Sequence, residues 1–252
     1  MVITRPDDSE LRKRIRSSWA SEEVCGESTR VIFLTGRTTT LELFEELAEE
    51  GGKQHDIVQA DVPEGYYNLS MKTYAALKWK QARCPQVRCF VKADSDNVLN
   101  IRNFVKKCDE FAGEAVVFGK CDVSRKVIRR ASKWAVPHHV LPLSRYPQYC
   151  STGVYAIAGA ASVDRLLHVV DDSDFFRNIN LRLLSEDVLF AGIFPELASI
   201  PRRTVPGISF FARPEYGCER KRQRAYALHM GGRPLRPSWF LKLLNAYEGS
   251  PC

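Results

Sequence analysis

The first half of the chain alternates between short apolar runs and longer amphipathic segments. Short runs of β-branched and apolar residues that end at turn residues are typical of buried strands. Apolar residues at 41, 43, 44, 47 and 48 have helical spacing and predict a helix that Gly51-Gly52 closes. This strand–helix–strand–helix–strand order predicts a mostly parallel sheet flanked by helices. The predicted strands are Val31–Leu34, Asp56–Val58 and Arg88–Val91, and the predicted helices are Leu41–Glu50 and Asn68–Trp79.

The second half is less regular, but no stretch rich in Pro, Gly or Ser separates it from the first. We therefore predict one domain over residues 1–252. The segment Tyr146–Tyr155 carries Pro, Gly and aromatic residues and predicts a loop that leads into a strand. The other predicted elements are helices at Ser9–Trp19, Asn100–Phe111 and Ser162–Val170 and strands at Ala115–Phe118 and Val154–Ala158.

Two carboxylates, Asp94 and Asp96, follow the apolar run Arg88–Val91. In an open parallel sheet, ligands bind beyond the carboxyl ends of the strands, and Gly36 after the first strand belongs to the same edge. Mg²⁺ and Mn²⁺ prefer oxygen ligands and take one or two carboxylates, with substrate phosphates and water completing the shell. The pair therefore indicates a divalent cation site beside a nucleotide, and an Asp-rich turn is the alternative interpretation.

A second carboxylate pair, Glu186-Asp187, begins an apolar helix in the sequence Ser185-Glu186-Asp187-Val188. Negative charge is favourable at that end of a helix because of the helix dipole. The pattern alone fits a helix cap as well as it fits catalytic carboxylates.

Length and composition indicate a folded globular protein. The 252 residues are 44% hydrophobic and 27% charged, which is enough to bury a substantial core. No run approaches the roughly 20 apolar residues of a membrane span, and the N-terminal segment is too polar for a signal peptide. We expect either a catalytic portion that lacks its anchor or a protein that never had one.

The formal net charge of +7 suits an enzyme that binds an anionic nucleotide. It does not indicate nucleic-acid binding, because the arginines are scattered and no basic-aromatic recognition motif is present. The densest basic run, Glu219–Arg224, is interpreted as a solvated loop.

Eight cysteines lie at positions 25, 84, 89, 108, 121, 150, 218 and 252. None forms a C-x-x-C pair, which argues against a zinc site. The even count fits disulfides in an oxidising compartment, and free buried thiols are the alternative. Asn68-Leu69-Ser70 is an acceptor sequence for N-glycosylation, which gives weak support to a secretory location.

Several motifs in a fixed order give the chain a family likeness. It resembles the β-1,3-galactosyltransferase family, glycosyltransferase family 31, which includes related β-1,3-N-acetylglucosaminyltransferases. The motifs that carry the resemblance are Arg12-Lys13-Arg14-Ile15-Arg16-Ser17-Ser18-Trp19, Val31–Gly36, Asp56-Ile57-Val58, Tyr67-Asn68-Leu69-Ser70-Met71-Lys72-Thr73, Lys92-Ala93-Asp94-Ser95-Asp96, Lys133-Trp134, Arg145–Tyr155, and Glu186-Asp187-Val188 followed by Gly192.

The resemblance implies a GT-A type, Rossmann-like α/β domain. Residues 1–110 would form the nucleotide-sugar-binding half that ends in the Asp-x-Asp site, and residues 111–252 the acceptor and catalytic-base half. The implied enzyme is a metal-dependent inverting hexosyltransferase. It would move galactose from UDP-galactose to a hydroxyl of a glycan on a glycoprotein, glycolipid or proteoglycan, and form a β-1,3 linkage.

The resemblance also implies roles for individual residues. Asp187 is the candidate base and Glu186 would orient hydroxyl groups, although the two could exchange roles. Mn²⁺ or Mg²⁺ would be held by Asp96, with Asp94 and His229, while a packed histidine is the alternative for His229. The implied UDP-sugar contacts are Arg12, Arg16, Thr35, Gly36, Lys72, Lys92, Asp94, Lys133, Trp134, Gly153 and Tyr155. For Arg12, Arg16 and Lys72, pairing with acidic side chains of the fold remains the other interpretation.

The sequence departs from the family pattern at two sites. Ser95 replaces the middle Asp of the metal motif, and Ile193-Phe194 stands where many members carry a Cys, which leaves the partner of Cys150 open. Alternatives to the galactosyltransferase are an enzyme that uses UDP-GlcNAc and a catalytically silent glycan-binding relative. The implied location is the Golgi lumen, as the lumenal portion of a type II membrane protein whose anchor is absent from these residues.

Overall fold

The computed structural model describes residues 1–26, 29–123, 125–130, 132–209 and 226–229. The strands in these ranges are β1 (Val2–Ile3), β2 (Phe33–Thr35), β3 (Ile57–Gln59), β4 (Cys89–Asp94), β5 (Asn97–Leu99), β6 (Val116–Val123), β7 (Tyr149–Ala158), β8 (Arg202–Thr204), β9 (Ile208–Ser209) and β10 (Ala227–His229). The helices are α1 (Ser9–Arg16), α2 (Glu22–Cys25), α3 (Leu41–Gln54), α4 (Leu69–Arg83), α5 (Ile101–Glu110), α6 (Ser162–Asp172), α7 (Glu186–Val188) and α8 (Phe194–Leu197). A 3₁₀ turn at Tyr66–Asn68 precedes α4, another lies at Ile179–Leu183, and a π-helical turn at Leu189–Ile193 joins α7 to α8.

The larger sheet has the strand order β3-β2-β1-β4-β7-β6-β8. Strands β3, β2, β1 and β4 are parallel, so their carboxyl ends lie at one edge. Strand β7 runs antiparallel between β4 and β6, and β8 is parallel to β6. The predicted α/β class, with a mostly parallel central sheet flanked by helices, is confirmed.

A small second sheet follows β4 directly. Strand β5 pairs antiparallel with β10, which pairs in parallel with β9. The pairing brings His229 opposite Asn97, one residue after Asp96. This sheet joins segments that are more than a hundred residues apart. No local pattern in the sequence predicts such a pairing.

The core lies on both faces of the larger sheet, because successive side chains of a strand point to opposite faces. On one face, Phe33, Phe104 and Phe118 pack with the fully buried Trp19. On the other face, Tyr155 packs in the cluster that carries the phenylalanines of the helical stretch after α7. The neighbouring pairs Val2 and Ile3, Phe33 and Leu34, and Phe118 and Val117 are divided between the two clusters.

The prediction that Gly51-Gly52 ends the third helix is wrong. Helix α3 continues to Gln54 and ends at His55, which adopts the left-handed conformation and donates its N–H to the Gly51 carbonyl. Glycine in a helix interior costs about 1 kcal/mol but does not break it. Here Glu50, immediately before the glycines, is held by two arginines of α1 and keeps this turn helical.

The predicted loop before Val154 is also wrong, because β7 begins at Tyr149. Its residues are buried almost throughout, so the segment inserts between two other strands rather than crossing the surface. Pro147 precedes the strand, and Gly153 lies at an irregularity within it that is described below.

Two disulfides confirm the expectation that several cysteines are paired. Cys89 bonds Cys108, and Cys121 bonds Cys150 across the neighbouring strands β6 and β7, which supplies the partner of Cys150 that the sequence left open. Cys25 and Cys84 are free thiols. Cys218 and Cys252, like the basic run Glu219–Arg224, lie outside the described residues. Within the described ranges, no helix is both long and apolar enough to cross a membrane.

Candidate active site

A buried lysine joins the carboxylates at the end of β4 to those at the start of α7. Lys92 Nζ lies 2.6 Å from Asp94 Oδ1 and 2.7 Å from Glu186 Oε2. Tyr155, opposite Lys92 on β7, donates its hydroxyl to Glu186 Oε1 at 2.6 Å. Burial alone would lower the pKa of Lys92, but Asp94 and Glu186 outweigh it and raise that pKa. Lys92 therefore stays charged and fixes both carboxylates.

The irregularity in β7 brings backbone against Asp94. The register with β6 shifts between Gly119 and Lys120, where Thr152 and Gly153 have φ of 94° and 71°. A Cβ atom on Gly153 would collide with the Asp94 carboxylate, so only glycine fits without a shift. Such bulges commonly lie next to active sites, where they redirect the chain. Gly153 thus lies directly against the Asp94 carboxylate, and its contact with a sugar stays a prediction.

Asp96 lies in the tight turn after β4 and contacts the small sheet. Its Oδ2 is 3.1 Å from His229 Nε2, and Asn97 Nδ2 donates to its Oδ1 at 3.2 Å. Burial by itself would raise the pKa of Asp96, but His229 and Lys92 outweigh this effect. The net pKa lies below its usual value, so the carboxylate stays ionised. Asp94, in contrast, has a raised pKa because burial and Glu186 outweigh the attraction of Lys92.

These donors fit a hard divalent cation that also binds substrate phosphates. Such ions commonly take one or two protein carboxylates and complete their shell with phosphate oxygens and water. Asp96 and His229 already converge, and Asp94 is two residues away on the same turn. Within the described residues, no three His, Cys, Asp or Glu side chains gather into a full protein cage. A cation held by Asp96, His229 and Asp94 would take its remaining ligands from substrate and solvent.

Asp187 is the partly exposed carboxylate of the second pair. Burial, and then the neighbouring charge of Glu186, raise its pKa to about 6. Its Oδ1 accepts the Val188 N–H at 3.0 Å. Its charge also raises the pKa of Tyr66 and Tyr149, after the larger effect of burial. A carboxylate with a pKa near neutrality beside aromatic walls is suited to accept a proton.

An aromatic and basic wall lies beside Asp187. Lys133 Nζ is 4.9 Å from the centre of the Tyr66 ring and 5.0 Å from that of Trp134. Burial raises the pKa of Tyr66, and the side chain of Trp134, which is 49% exposed, partly offsets this effect. The charges of Asp187 and Asp94 also raise the pKa of Tyr66, so Lys133 and Trp134 lie on the same side of the fold as these carboxylates, and their contact with a sugar stays a prediction.

The predicted residues Thr35, Gly36 and Lys72 meet at the carboxyl ends of β1 and β2. Lys72 Nζ is buried, 2.6 Å from Glu64 Oε1, and donates to the Thr4 carbonyl at 3.0 Å. Glu64 also accepts the Gly36 N–H at 2.7 Å. Among the described residues, the Thr4 and Thr35 hydroxyls are buried without a hydrogen-bond partner.

Arg12 and Arg16 lie apart from these groups, in a closed network of ion pairs. Arg12 is fully buried and binds Glu50 at 2.6 and 2.9 Å, together with two backbone carbonyls. Arg16 binds Glu50 at 2.7 Å and Asp56 through two nitrogens at 2.7 and 2.8 Å. Their guanidinium groups are therefore paired with acidic side chains of the fold. This pairing was the alternative to phosphate binding that the sequence allowed.

A separate pocket of about 700 Å³ opens at the amino end of β4. It is lined by largely apolar residues near Met1, and none of the carboxylates described above borders it. The candidate site therefore rests on its charged groups rather than on this cavity.

Sequence reasoning missed Glu64, Tyr66 and Asn97. Tyr66 directly precedes a family motif and could have been found there. Glu64 and Asn97 act through contacts with Lys72, Gly36 and Asp96 that only the fold creates.

Comparison with known proteins agrees with the order of motifs. The chain is 32% identical over 151 residues to β-1,3-galactosyltransferase 5 of Pan paniscus, covering 59% of this chain and 50% of that protein. It is 30% identical over 171 residues to β-1,3-galactosyltransferase 2 of Homo sapiens, covering 63% and 39%. With β-1,3-galactosyltransferase 1 of Mus musculus it shares 28% over 189 residues, covering 68% and 56%. The chain thus spans about half the length of the curated relatives it matches.

Among solved structures, the galactosyltransferase LgtC in complex with donor and acceptor sugar analogues matches with a TM-score of 0.47 and 13% identity, over 99% of this chain and 96% of that one. The family described as Galactosyltransferase matches residues 10–206, which include Lys92, both carboxylate pairs and Gly153. The chain belongs to this family of galactosyltransferases, glycosyltransferase family 31.

Proposed function

We propose that this chain is the catalytic unit of a metal-dependent inverting galactosyltransferase. It would transfer galactose from UDP-galactose to a glycan hydroxyl and form a β-1,3 linkage. One observation carries the proposal: Lys92 ties the carboxylate pair at the end of β4 to the pair at the start of α7. Donor-binding and base groups of one reaction are expected to be adjacent in this way.

Asp187 would act as the general base. It would accept the proton of the acceptor hydroxyl while that oxygen bonds to the anomeric carbon and the bond from this carbon to the UDP oxygen breaks. Attack from the face opposite UDP inverts the anomeric centre in one step. The pKa of about 6 supports this role, because most of the carboxyl is ionised at neutral pH and still accepts a proton effectively.

Glu186 is unsuited to accept that proton, because Lys92 and Tyr155 hold its two oxygens. We assign to it, and to Asp94, the orientation of donor and acceptor hydroxyls. The backbone of Gly153 would border the donor sugar, whereas the predicted sugar contact Tyr155 is fully buried in the core and acts only through its hydroxyl on Glu186. Carboxylates held in this way bind sugar hydroxyls without reorganisation.

Asp96 and His229, with Asp94, would hold Mn²⁺ or Mg²⁺. The cation would supply positive charge beside the diphosphate, where negative charge develops as UDP leaves. Lys72, Gly36 and Thr35 would border the nucleoside, because they lie at the carboxyl ends of β1 and β2, where nucleotides bind in such sheets. The two disulfides support an oxidising compartment, and we propose the Golgi lumen.

The test is UDP release from UDP-galactose and, separately, from UDP-GlcNAc. Each donor is measured with Mn²⁺ or with a chelator, over acceptors that end in Gal, GalNAc or GlcNAc. We expect chelator-sensitive release from UDP-galactose that one acceptor stimulates, and a β-1,3 linkage in the isolated product.

The matched variants are Asp96→Ala and Asp109→Ala, the second an exposed acid on α5. Asp96→Ala should remove metal-dependent donor binding, and Asp109→Ala should leave it unchanged. Release of UDP from UDP-GlcNAc alone would mean that UDP-GlcNAc, and not UDP-galactose, is the donor. UDP binding without transfer to any acceptor would favour a glycan-binding relative. Unchanged donor affinity in Asp96→Ala would remove the metal assignment.

A further inference from the structure

The segment from 125 to 145 has an unusual charge balance. It carries six arginines and lysines and no aspartate or glutamate, while the net charge of the whole chain is +7. The nearest acids along the chain are Asp122 and Asp164. The cations are Arg125, Lys126, Arg129, Arg130, Lys133 and Arg145, and we call this segment the basic loop.

The basic loop is folded onto the core. Val127, Val136 and Leu141 are buried in the cluster that also holds Tyr149. The Arg129 guanidinium donates to the carbonyls of Val136 and Leu141, both at 2.8 Å, and so closes the loop from inside. Buried apolar anchors and an internal arginine indicate a defined surface that carries the remaining cations.

Those remaining cations point outward. Arg125, Lys126, Arg130, Lys133 and Arg145 are all exposed. Lys126 and Arg145 stand opposite each other in an antiparallel bridge, where like charges are destabilising. In the described part of the chain, neither Lys126 nor Arg130 forms an ion pair with a carboxylate, so both charges are available to a bound anion.

The basic loop adjoins the base rather than the leaving-group side of the site. Lys133 lies over Tyr66, whose pKa is raised by burial, then by Asp187 and to a lesser extent by Asp94. Burial raises the pKa of Tyr149 most, followed by Asp187, while Arg125 lowers it. The acceptor hydroxyl must approach Asp187, whereas the diphosphate belongs with Asp94 and Asp96. The cations of the loop are therefore near the acceptor.

We infer that the acceptor is an anionic glycan. Its carboxylate or sulfate lies on the residue that receives the sugar or on the next one, and Lys126, Arg130 and Lys133 bind it. This inference rests on the proposed function and specifies the acceptor of the same site. Exposed lysines and arginines attract such groups through screened charge interactions, so the preference should weaken with salt.

The experiment compares three acceptors of equal length: a neutral oligosaccharide, its sulfate ester and its uronate analogue. The acceptor KM and kcat are measured with saturating UDP-galactose at low and high salt. The test variant is Lys126→Glu/Arg130→Glu. The matched control is Arg83→Glu/Lys106→Glu, which makes the same charge change at exposed positions of α4 and α5.

We expect the wild type to have a lower KM, by roughly five- to tenfold, for one or both charged acceptors than for the neutral one. The loop variant should lose this preference while its KM for UDP-galactose stays unchanged, and the control should keep it. The sulfate and uronate arms identify which anion is bound. If the loop variant and the control variant show the same preference for charged acceptors, the inference is overturned.

Failure of the inference can be told apart from failure of the proposed function. Normal turnover of the neutral acceptor, without preference for either charged one, overturns the anionic acceptor and leaves the transferase intact. If no pair turns over, calorimetric binding of the sulfated and uronate glycans to the UDP-bound chain still tests the loop. If the glycans bind the wild type and the loop variant equally, or do not bind, the inference of an anionic acceptor is contradicted. It is also contradicted if the loop binds anionic phospholipid vesicles and not the glycans.

Discussion

Two networks of ion pairs in this molecule are built from motif residues, and they differ in charge balance. In the first, Arg12 and Arg16 neutralise Glu50 and Asp56, and the charges of the two arginines and the two acids balance. In the second, a single lysine, Lys92, is bound by two carboxylates, Asp94 and Glu186. Asp187 and Asp96 lie beside this network and add negative charge.

This difference is the one expected between a structural network and a candidate binding site. A balanced cluster leaves no charge for a ligand, and its value lies in holding α1, α3 and the start of β3 together. An unbalanced cluster of buried carboxylates costs stability, and such a cost is commonly retained where a site must bind cations or move protons. Mutations in the two networks should therefore have different consequences.

The largest effect is expected from Asp187→Asn. The amide keeps the shape of the side chain but cannot accept the acceptor proton, so kcat should fall by roughly 10²- to 10⁴-fold. UDP binding, measured by calorimetry with Mn²⁺, should stay near normal. The matched control is Asp174→Asn at an exposed acid, and near-normal turnover in Asp187→Asn would remove its role as base.

The next effect is expected from Lys92→Met. Loss of the ammonium leaves Asp94 and Glu186 facing each other without compensation, and breaking a buried pair in this way costs about 3–5 kcal/mol. Urea unfolding measures the loss of stability, and UDP release measures the accompanying loss of activity. A variant with wild-type stability would mean that the carboxylates take up protons or a cation in place of the lysine.

A smaller effect, confined to stability, is expected from Arg12→Met. Glu50 keeps Arg16 as a partner, so the loss should be about 1.5–3 kcal/mol, the range for hydrogen bonds to charged groups. The KM for UDP-galactose, measured below the unfolding transition, should not change. A raised donor KM would instead assign Arg12 to the donor site, the role that the family resemblance implied.

The sequence could predict the network around Lys92 better than the network around Arg12 and Arg16. A strand that ends in Asp94 and Asp96 within an alternating order of strands and helices already indicates a site at the carboxyl edge, because that relation depends on local pattern and topology. The partners Glu50 for Arg12, and His229 for Asp96, depend on contacts between distant segments. For His229, only the family resemblance supplied the link.

Local signals also misled where tertiary packing decided the outcome. Gly51-Gly52 resembles a helix end, yet the ion pairs of Glu50 keep that turn in α3. The Pro, Gly and aromatic residues of Tyr146–Tyr155 resemble a loop, yet the disulfide at Cys150 and burial between two strands extend β7 to Tyr149. Of these residues, Gly153 does mark a departure from regular structure, the bulge within β7, and this bulge forms part of the candidate site.

The smallest predicted effect concerns pH and separates the two networks without a mutation. Burial and Glu186 raise the pKa of Asp187 to about 6, and a base acts only when deprotonated. The value of kcat should therefore hold above that pKa and fall as pH decreases through it, to about one tenth near pH 5. The balanced network should contribute no loss in this range, because Arg16 and Arg12 hold the pKa of Glu50 below its usual value despite its burial. Unfolding monitored at the same pH values checks this, since a parallel loss of structure would assign the decline to stability rather than to the base.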